Sequence, residues 1–411
     1  MQSKLPQELI DMIIDFLYTD IKSLSSCSQV ARSWLQSSQF HLFQKTSIAV
    51  SQSNPSTLPD FIDLLHPSRH ICLHIRCLIL HKTYGDPSKV SLDVGVIATI
   101  LSKLPNISRF FLSGMNLTLP STFGSKDHCI PPLQHLTFMS TEIYGELSSV
   151  LSYFTRVDNL ELSTVLTERP KLSSAEVAIP DDAHSQQAVA PVCLGLRSLN
   201  LGVSGQTRNH PIHQGIQMES LTSFGFAFSY PHQLDIASPI IRLAPRLRHL
   251  KLRMHMLALF HESPKFEEWE VLGLLSATSL ETLAMEIMLE LPPTIREFDL
   301  WSSVSSLLAS APKSLSTVMF DDLWFDLDDS KDPISDLESF DWESLGQSLS
   351  MFSELKSVGF VIGFSDYQTV NFGGSRNLFE KMKEVVHHKL RDLHQKGQVQ
   401  VEFGLAEEGS E

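Results

Sequence analysis

Residues that can bind a metal ion are concentrated in one short segment of this 411-residue chain. They are His70, Cys72, His74, Cys77 and His81. Alternation along a strand would place the first three on one face, at a spacing suitable for zinc ligands. The series matches no established zinc-finger spacing, and half-buried cysteines beside exposed histidines explain it equally well. We therefore predict no metal and no cofactor.

Motifs of the known catalytic classes are absent. The sequence has no GxSxG, GxxxxGK[ST], HExxH or CxxC motif. Gly373, Gly374 and Ser375 precede the last predicted helix and could hold an anion at its N-terminus, but a plain loop explains them better. A hydrolase assembled from scattered Ser, His and Asp residues has no motif to support it. We predict no catalytic residues and no enzymatic activity.

The composition and net charge of the chain exclude some classes of binding partner. The chain is 42% hydrophobic and 19% charged, as globular proteins are, and its net charge of −15 argues against nucleic-acid and anionic-membrane partners. No apolar run is long enough to span a membrane, and acidic residues in the first apolar segment exclude a secretory signal. Five irregularly spaced cysteines fit a reducing compartment. We expect a cytoplasmic and/or nuclear protein.

An apolar-x-x-apolar-x-apolar pattern recurs along most of the chain, with helical patterns in many of the gaps. Each occurrence predicts a helix leading into a short strand whose apolar residues point inward. A unit of this kind cannot bury its apolar face alone, so neighbouring units must stack. The occurrences are Ile75-Leu78-Leu80, Ile107-Phe110-Leu112, Leu133-Leu136-Phe138, Val157-Leu160-Leu162, Leu196-Leu199-Leu201, Leu221-Phe224-Phe226, Leu247-Leu250-Leu252, Leu280-Leu283-Met285, Leu315-Val318-Phe320 and Leu355-Val358-Phe360.

This pattern resembles an irregular leucine-rich-repeat solenoid of the α/β class. One feature of the family is missing, because the Asn or Cys of its LxxLxLxxN pattern is replaced at each comparable position. The replacements are Thr141, Val165, Ser204, Ser229 and His255. The backbone polar groups in the turns that follow the strands must therefore find other hydrogen-bond partners.

Residues between the inward positions line one face of the sheet in leucine-rich-repeat folds, which makes that face a candidate target-binding surface. His249, Lys251 and Arg253 form a basic row there that could pair with an acidic or phosphorylated partner. An exposed charged row that only contacts water is the alternative. The predicted target-binding residues are Arg109, Phe111, His135, His249, Lys251 and Arg253.

The N-terminal residues predict amphipathic helices. Pro6 suits the first turn of a helix, and Asp20 is a candidate N-cap for a second helix that continues through Trp34 and Leu35. One face of the first helix is apolar, with Gln7, Asp11 and Asp15 on the other side. The apolar residues are Leu9, Ile10, Ile13, Ile14 and Leu17. Helices this short cannot bury all these side chains among themselves.

The order of these residues resembles the F-box: Leu5-Pro6, Glu8-Leu9, Ile13, Leu17, Leu24, Val30, Arg32 and Trp34. The chain departs from the family at Ala31, where cysteine is frequent. The resemblance implies binding to a Skp-type adaptor and, through it, to a cullin–RING ubiquitin ligase. It implies adaptor contacts from Leu5, Pro6, Leu9, Ile13, Leu17, Leu24, Val30 and Trp34. The alternative is an ordinary helical hairpin packed on the main domain.

The F-box-like segment is followed along the chain by degenerate leucine-rich repeats and a final helix and strand. This order of segments resembles the F-box proteins of mushroom-forming fungi. The expected segments are an F-box-like module (1–46), a connector (47–60), a solenoid (61–372) with a mobile insertion (167–191), a helix–strand cap (373–405) and an acidic tail (406–411). The expected function is that of the substrate-receptor subunit of an SCF-type ligase, holding an unknown protein target. The alternative is a protein-binding repeat scaffold that acts without a ligase.

Overall fold

A computed structural model describes residues 5–54, 56–85, 90–119, 130–144, 146–168, 195–202, 216–228, 233–255, 269, 271–289, 300–325, 333–338, 340–364 and 375–403. The chain forms two compact units. Unit 1 comprises Met1–Leu196 with Gln214–Gln217, and unit 2 comprises Arg197–His213 with Met218–Glu411.

Unit 1 begins with helices and continues as helix–strand repeats. Its helices are α1 (Gln7–Phe16), α2 (Ile21–Val30), α3 (Arg32–Gln44), α4 (Thr57–Leu65), α5 (Arg69–Cys72), α6 (Val94–Ser102) and α7 (Leu147–Leu151). Its strands are β1 (Lys45–Val50), β2 (Cys77–Lys82), β3 (Ser91–Asp93), β4 (Arg109–Ser113), β5 (Asn116–Thr118), β6 (Leu133–Met139), β7 (Glu142–Tyr144), β8 (Val157–Ser163) and β9 (Leu166–Glu168). A main parallel sheet has the order β1-β2-β4-β6-β8, and a smaller parallel sheet has the order β3-β5-β7-β9.

Unit 2 is also built from helices and parallel strands. Its strands form one sheet, in which their order is the same as their order in the chain. The strands are β10 (Ser198–Gly202), β11 (Ser223–Phe228), β12 (His249–His255), β13 (Thr282–Leu289), β14 (Thr317–Phe325), β15 (Ser357–Phe364) and β16 (Val399–Phe403). The helices are α8 (Leu234–Leu243), α9 (Leu300–Ala309), α10 (Pro333–Glu338), α11 (Trp342–Ser350), α12 (Ser375–Lys389) and α13 (Arg391–Gln395), with a 3₁₀ turn at Leu274–Ser276.

The cores of both units are built from the repeated apolar triplets. Every residue of the ten triplets is buried, the most exposed being Leu355 at 4%. The register aligns equivalent positions, so that Phe110 pairs with Leu136 and Leu136 with Leu160. The predicted α/β class and the predicted inward positions are therefore confirmed.

The corners between the two sheets of unit 1 explain how the chain turns without the Asn of the leucine-rich-repeat pattern. Gly114, Ser140 and Thr164 each adopt a left-handed conformation, with φ of 70°, 48° and 57°. The Gly114 N–H donates to the Met139 carbonyl at 2.9 Å, and the Ser140 N–H donates to the Ser163 carbonyl at 2.8 Å. Backbone bonds to the next repeat thus replace a side-chain ladder.

Several predicted boundaries differ from the structure. The predicted connector 47–60 starts inside β1, which pairs with β2 and belongs to the main sheet. The predicted insertion 167–191 starts inside β9, and its remainder from residue 169 lies outside the described residues, as does the acidic tail 406–411.

The helices of the two terminal segments are each divided. The second predicted helix ends at Val30, because Ala31 is extended (φ −156°, ψ 155°) and α3 starts after it. Within the predicted cap, the last helix is interrupted at Leu390, so that α12 and α13 precede the expected strand β16. In the described part of the chain, no helix has the length and apolar character to cross a membrane.

Candidate functional site

Helix α1 is the centre of the candidate site, and its start is set locally. Pro6 occupies the N-cap position and Glu8 lies in the first turn, where a negative charge complements the helix dipole. Asp20 caps α2 by accepting the Ser23 N–H at 3.1 Å, as the sequence predicts. The Asp20 side chain thus caps α2, whereas Pro6 makes no side-chain cap bond and stands just before the first helical residue, Gln7, instead of within the first turn as predicted.

One face of α1 forms the core of the helical module. Ile10, Ile14 and Leu24 are buried together there. Leu17, Trp34 and Leu42 are partly buried and pack against that cluster. The positions 10, 14 and 17 recur at helical spacing, so a single face of α1 supplies all of its contacts to this core.

A second face of α1 is hydrogen-bonded to α3. Gln7 donates to the Ser33 carbonyl at 2.8 Å, Ser37 donates to Asp11, and the His41 Nε2 lies 2.8 Å from the Asp15 carboxylate. The bonds from Ser37 and Gln7 hold the pKa of Asp11 below its usual value. The three polar residues were predicted on the side of α1 away from its apolar residues, and α3 supplies hydrogen-bond partners along that side while Gln7 and Asp15 stay exposed.

The third face of α1 is apolar and exposed. We call it the α1 face, consisting of Leu5, Leu9, Met12, Ile13 and Phe16. Leu9 is 45%, Ile13 43% and Phe16 82% exposed. Tyr18 and Ile21, which follow in the turn and at the start of α2, are exposed too. Large apolar side chains grouped in this way are typical of a surface that binds another protein.

The eight residues predicted to contact an adaptor separate into two groups. Leu5, Pro6, Leu9, Ile13 and Val30 are exposed and available for contact. Leu24 is fully buried in the core of the module and presents no exposed surface for an adaptor.

Leu17 and Trp34 mainly support the core of the module, because they are partly buried and pack against its buried cluster. Sequence reasoning missed Met12, Phe16, Tyr18 and Ile21. Helical spacing from Leu9 would have found Met12 and Phe16, which stand three and seven residues after it.

The predicted target-binding residues of unit 1 lie on adjacent strands. Cys77 pairs with Arg109 and Arg109 pairs with His135, while Ile79 pairs with Phe111. Arg109 is exposed, and Phe111 and His135 are half-buried. Burial lowers the pKa of His135, and the positive charge of Arg109 lowers it further. His135 is therefore neutral at neutral pH.

Two members of the predicted basic row of unit 2, Lys251 and Arg253, have carboxylate partners within the unit. Lys251 Nζ lies 3.3 Å from Glu286 and 3.1 Å from Asp321, and Arg253 Nε lies 2.5 Å from Glu286. Burial lowers the pKa of Lys251, but the two carboxylates outweigh burial and raise it above its ordinary value. The row was predicted as a possible contact for an acidic or phosphorylated partner, but its lysine and arginine are already paired with carboxylates of β13 and β14.

The histidine and cysteine series does not form a metal site. The segment containing His70 and Cys72 is the short helix α5, so the alternation expected of a strand does not apply. Cys72 is buried, with its Sγ 3.5 Å from the Leu65 carbonyl, and His74 packs edge-on against Phe40. Among the described residues, no group of three or more His, Cys, Asp or Glu side chains could hold a metal ion.

The fold and these surfaces define an α/β protein of helix–strand repeats that carries an exposed apolar helical face. No protein-family model and no curated protein matches the sequence. Among solved structures, the chain is similar to a crystal structure of a protein from Bacteroides fragilis, at 10% identity and a TM-score of 0.37. That alignment covers 90% of this chain and 76% of the other. A similarity of this degree identifies neither a family nor a function.

Proposed function

We propose that the chain is the substrate-receptor subunit of an SCF-type cullin–RING ubiquitin ligase. In this role the helical module binds a Skp-type adaptor, and the leucine-rich-repeat-like units hold a protein target. The subunit contributes proximity, because it raises the effective concentration of the target near the ubiquitin-charged enzyme. It performs no bond-making chemistry itself.

The exposure of the α1 face is the observation that carries the proposal. An F-box-like module needs apolar residues that its own body leaves uncovered, and Leu5, Leu9 and Ile13 meet that requirement among the described residues. The other two faces of α1 are occupied by the small core and by α3. The helix is therefore held in place without using the face that would meet an adaptor.

Replacing Leu9 and Ile13 with Asp tests the proposal. Full burial of a Leu or Ile side chain stabilises an interface by about 1.5–3 kcal/mol, so losing both contacts and burying two carboxylates should weaken adaptor binding more than about 100-fold. The measurement is the Kd of the purified full chain for a Skp-type adaptor. Because both residues are exposed, the variant should unfold thermally at the wild-type temperature.

The matched control is Gln134→Asp with Gln400→Asp, which adds the same charge at exposed positions outside the helical module. This control should bind the adaptor as the wild type does. A wild-type chain that folds yet ignores every Skp-type adaptor would overturn the proposal and would favour the scaffold without a ligase. Equal loss in the double variant and the control would count against the α1 face as the contact.

A further inference from the structure

The outward face of the unit 1 sheet has an apolar centre. Ile79 and Phe111 are paired on β2 and β4, both point outward, and both are half-buried. Met139 on β6 is 44% exposed in the neighbouring row. Adjacent strands lie about 4.8 Å apart, so the side chains of Ile79 and Phe111 form one continuous apolar surface.

Two cations border this apolar centre. Lys45 pairs with Cys77 and Cys77 pairs with Arg109, so all three stand in one row across β1, β2 and β4. Lys45 and Arg109 are exposed, and within the described part of the chain neither makes an ion pair. Their charges both act to lower the pKa of Cys77, although burial of this thiol raises it overall.

Negative charge lies at the other side of the same face. Glu161 on β8 is exposed and accepts a hydrogen bond from Thr137 at 3.4 Å. His135 on β6 adds no charge at neutral pH, because burial and Arg109 lower its pKa. A bound acidic group is therefore attracted to the β1–β4 side and repelled from the β8 side.

The equivalent face of unit 2 differs in both charge and shape. Lys251 and Arg253 already pair with carboxylates, so a partner would have to break those contacts before using the cations. The row that contains Lys251 alternates large with small residues across the strands, namely Asn200, Gly225, Lys251, Ala284, Met319 and Gly359. A Cβ at Gly225 would overlap the Asn200 side chain, and one at Gly359 would overlap Met319. These large side chains thus lie over their small neighbours and fill the surface.

We propose that the outward face of unit 1 binds the target, and that the target segment carries an Asp or Glu two residues from an aromatic or aliphatic side chain. The carboxylate contacts Lys45 and Arg109, and the apolar side chain packs on Ile79 and Phe111. The spacing follows because Arg109 and Phe111 are separated by two residues of a strand, about 6.8 Å, which two residues of an extended peptide match. This inference rests on the proposed function in one respect, since the ligase role is what makes the bound peptide segment a target.

Selection from random peptides tests the inference with the full-length chain as bait. A displayed library of 12-residue peptides should yield sequences in which an acidic and an apolar residue are separated by one position. A fluorescein-labelled synthetic copy of the most enriched peptide then gives a Kd by anisotropy. Arg109→Glu and Phe111→Ala should each weaken binding at least about tenfold, as loss of a charged hydrogen bond or a large apolar contact does.

Controls separate a lost contact from a lost fold. Arg246→Glu makes the same charge change at an exposed position of unit 2 and should leave the Kd within about twofold of wild type. Arg109→Lys should keep most of the affinity, and Lys45→Glu should reproduce the loss. Replacing the acidic residue of the peptide by Lys should abolish binding. Enrichment of peptides without this pair of residues, or a Kd unchanged by Arg109→Glu and Phe111→Ala, would overturn the inference.

The adaptor assay keeps the two proposals distinct. Arg109→Glu and Phe111→Ala should bind the Skp-type adaptor normally, because they lie outside the helical module. Peptide selection that fails while the adaptor still binds rejects this target face alone. Adaptor binding that fails while the selected peptide still binds rejects the ligase role and leaves the peptide-binding face in place.

Discussion

Glu286 determines the charge of the outward face of unit 2. Its side chain is only 8% exposed, and it lies between Lys251 and Arg253 on the adjacent strand. Asp321 on the next strand provides a second carboxylate to Lys251. A buried acid between two cations neutralises a row that looks basic in the sequence. The pairing also stabilises unit 2, because the two cations compensate the charge of the buried Glu286 carboxylate.

Glu286→Gln should lower the free energy of unfolding by about 1–2 kcal/mol. This value is below that of a fully buried pair, since Lys251 and Arg253 are about half exposed and Lys251 keeps Asp321. Urea unfolding of the variant and the wild type measures the difference. Glu281→Gln is the matched control, because Glu281 pairs with Arg248 at 3.7 Å on the surface and its loss should cost less than about 0.5 kcal/mol. Equal costs for the two substitutions would contradict this account.

The repeating element of unit 1 depends on a left-handed residue at each corner. Glycine adopts this conformation without a steric penalty, whereas a β-branched residue is strained there. The chain has Gly114 at one corner, Ser140 at the next and Thr164 at the third. All three corners share the left-handed conformation but differ in side chain, and the β-branched Thr164 carries the most strain.

Thr164→Gly should therefore be neutral or stabilise the protein by up to about 1 kcal/mol, because relief of strain offsets the added flexibility of glycine. Gly114→Thr should destabilise it by about 1–2 kcal/mol, since it adds strain and its Cβ would meet the Lys82 side chain at 3.2 Å. Thermal unfolding of both variants compares the two corners. A Thr164→Gly variant that is clearly less stable than wild type would show that the threonine side chain makes contacts that exceed its strain.

Across the whole molecule, histidines with lowered pKa values make stability depend on pH in both units. Burial is the main cause for His74 and His135 in unit 1 and for His387 in unit 2. Neighbouring positive charge adds to it: His70 near His74, Arg109 near His135, and both His394 and Lys383 near His387. The rings of His387 and His394 stack with centroids 3.9 Å apart.

Acidification should lower the unfolding temperature. The unfolded chain takes up protons at an ordinary histidine pKa of about 6.5, above the folded values, so this contribution to stability is present above about pH 6.5 and is lost as the pH falls through the folded pKa values. Thermal unfolding between about pH 7.5 and pH 5 measures the effect. His387→Gln should reduce the pH dependence, because it removes a ring whose pKa is lowered by burial. A flat profile in the wild type would contradict the assignment.

The sequence by itself determined the elements and the interior. The spacing of apolar residues is local, because side chains alternate along every strand and return at fixed intervals along every helix, and it placed all ten triplets inward. Asp20 likewise marked the start of α2, because its side chain caps the backbone N–H of a residue only three positions away. The sequence pattern did not predict strand β1, because its apolar residues Ile48 and Val50 lack the first apolar residue of the triplet pattern.

Only the tertiary structure decided which surfaces remain open. Helix α1 is apolar around much of its circumference, and the packing of α3 determines that Ile10 and Ile14 are buried while Leu9 and Ile13 are exposed. The charge of Lys251 and the availability of Arg109 depend on residues of other strands, brought into place by sheet register. Contacts between residues distant in the chain exist only after the elements pack, so local patterns could identify the candidate residues but not their partners.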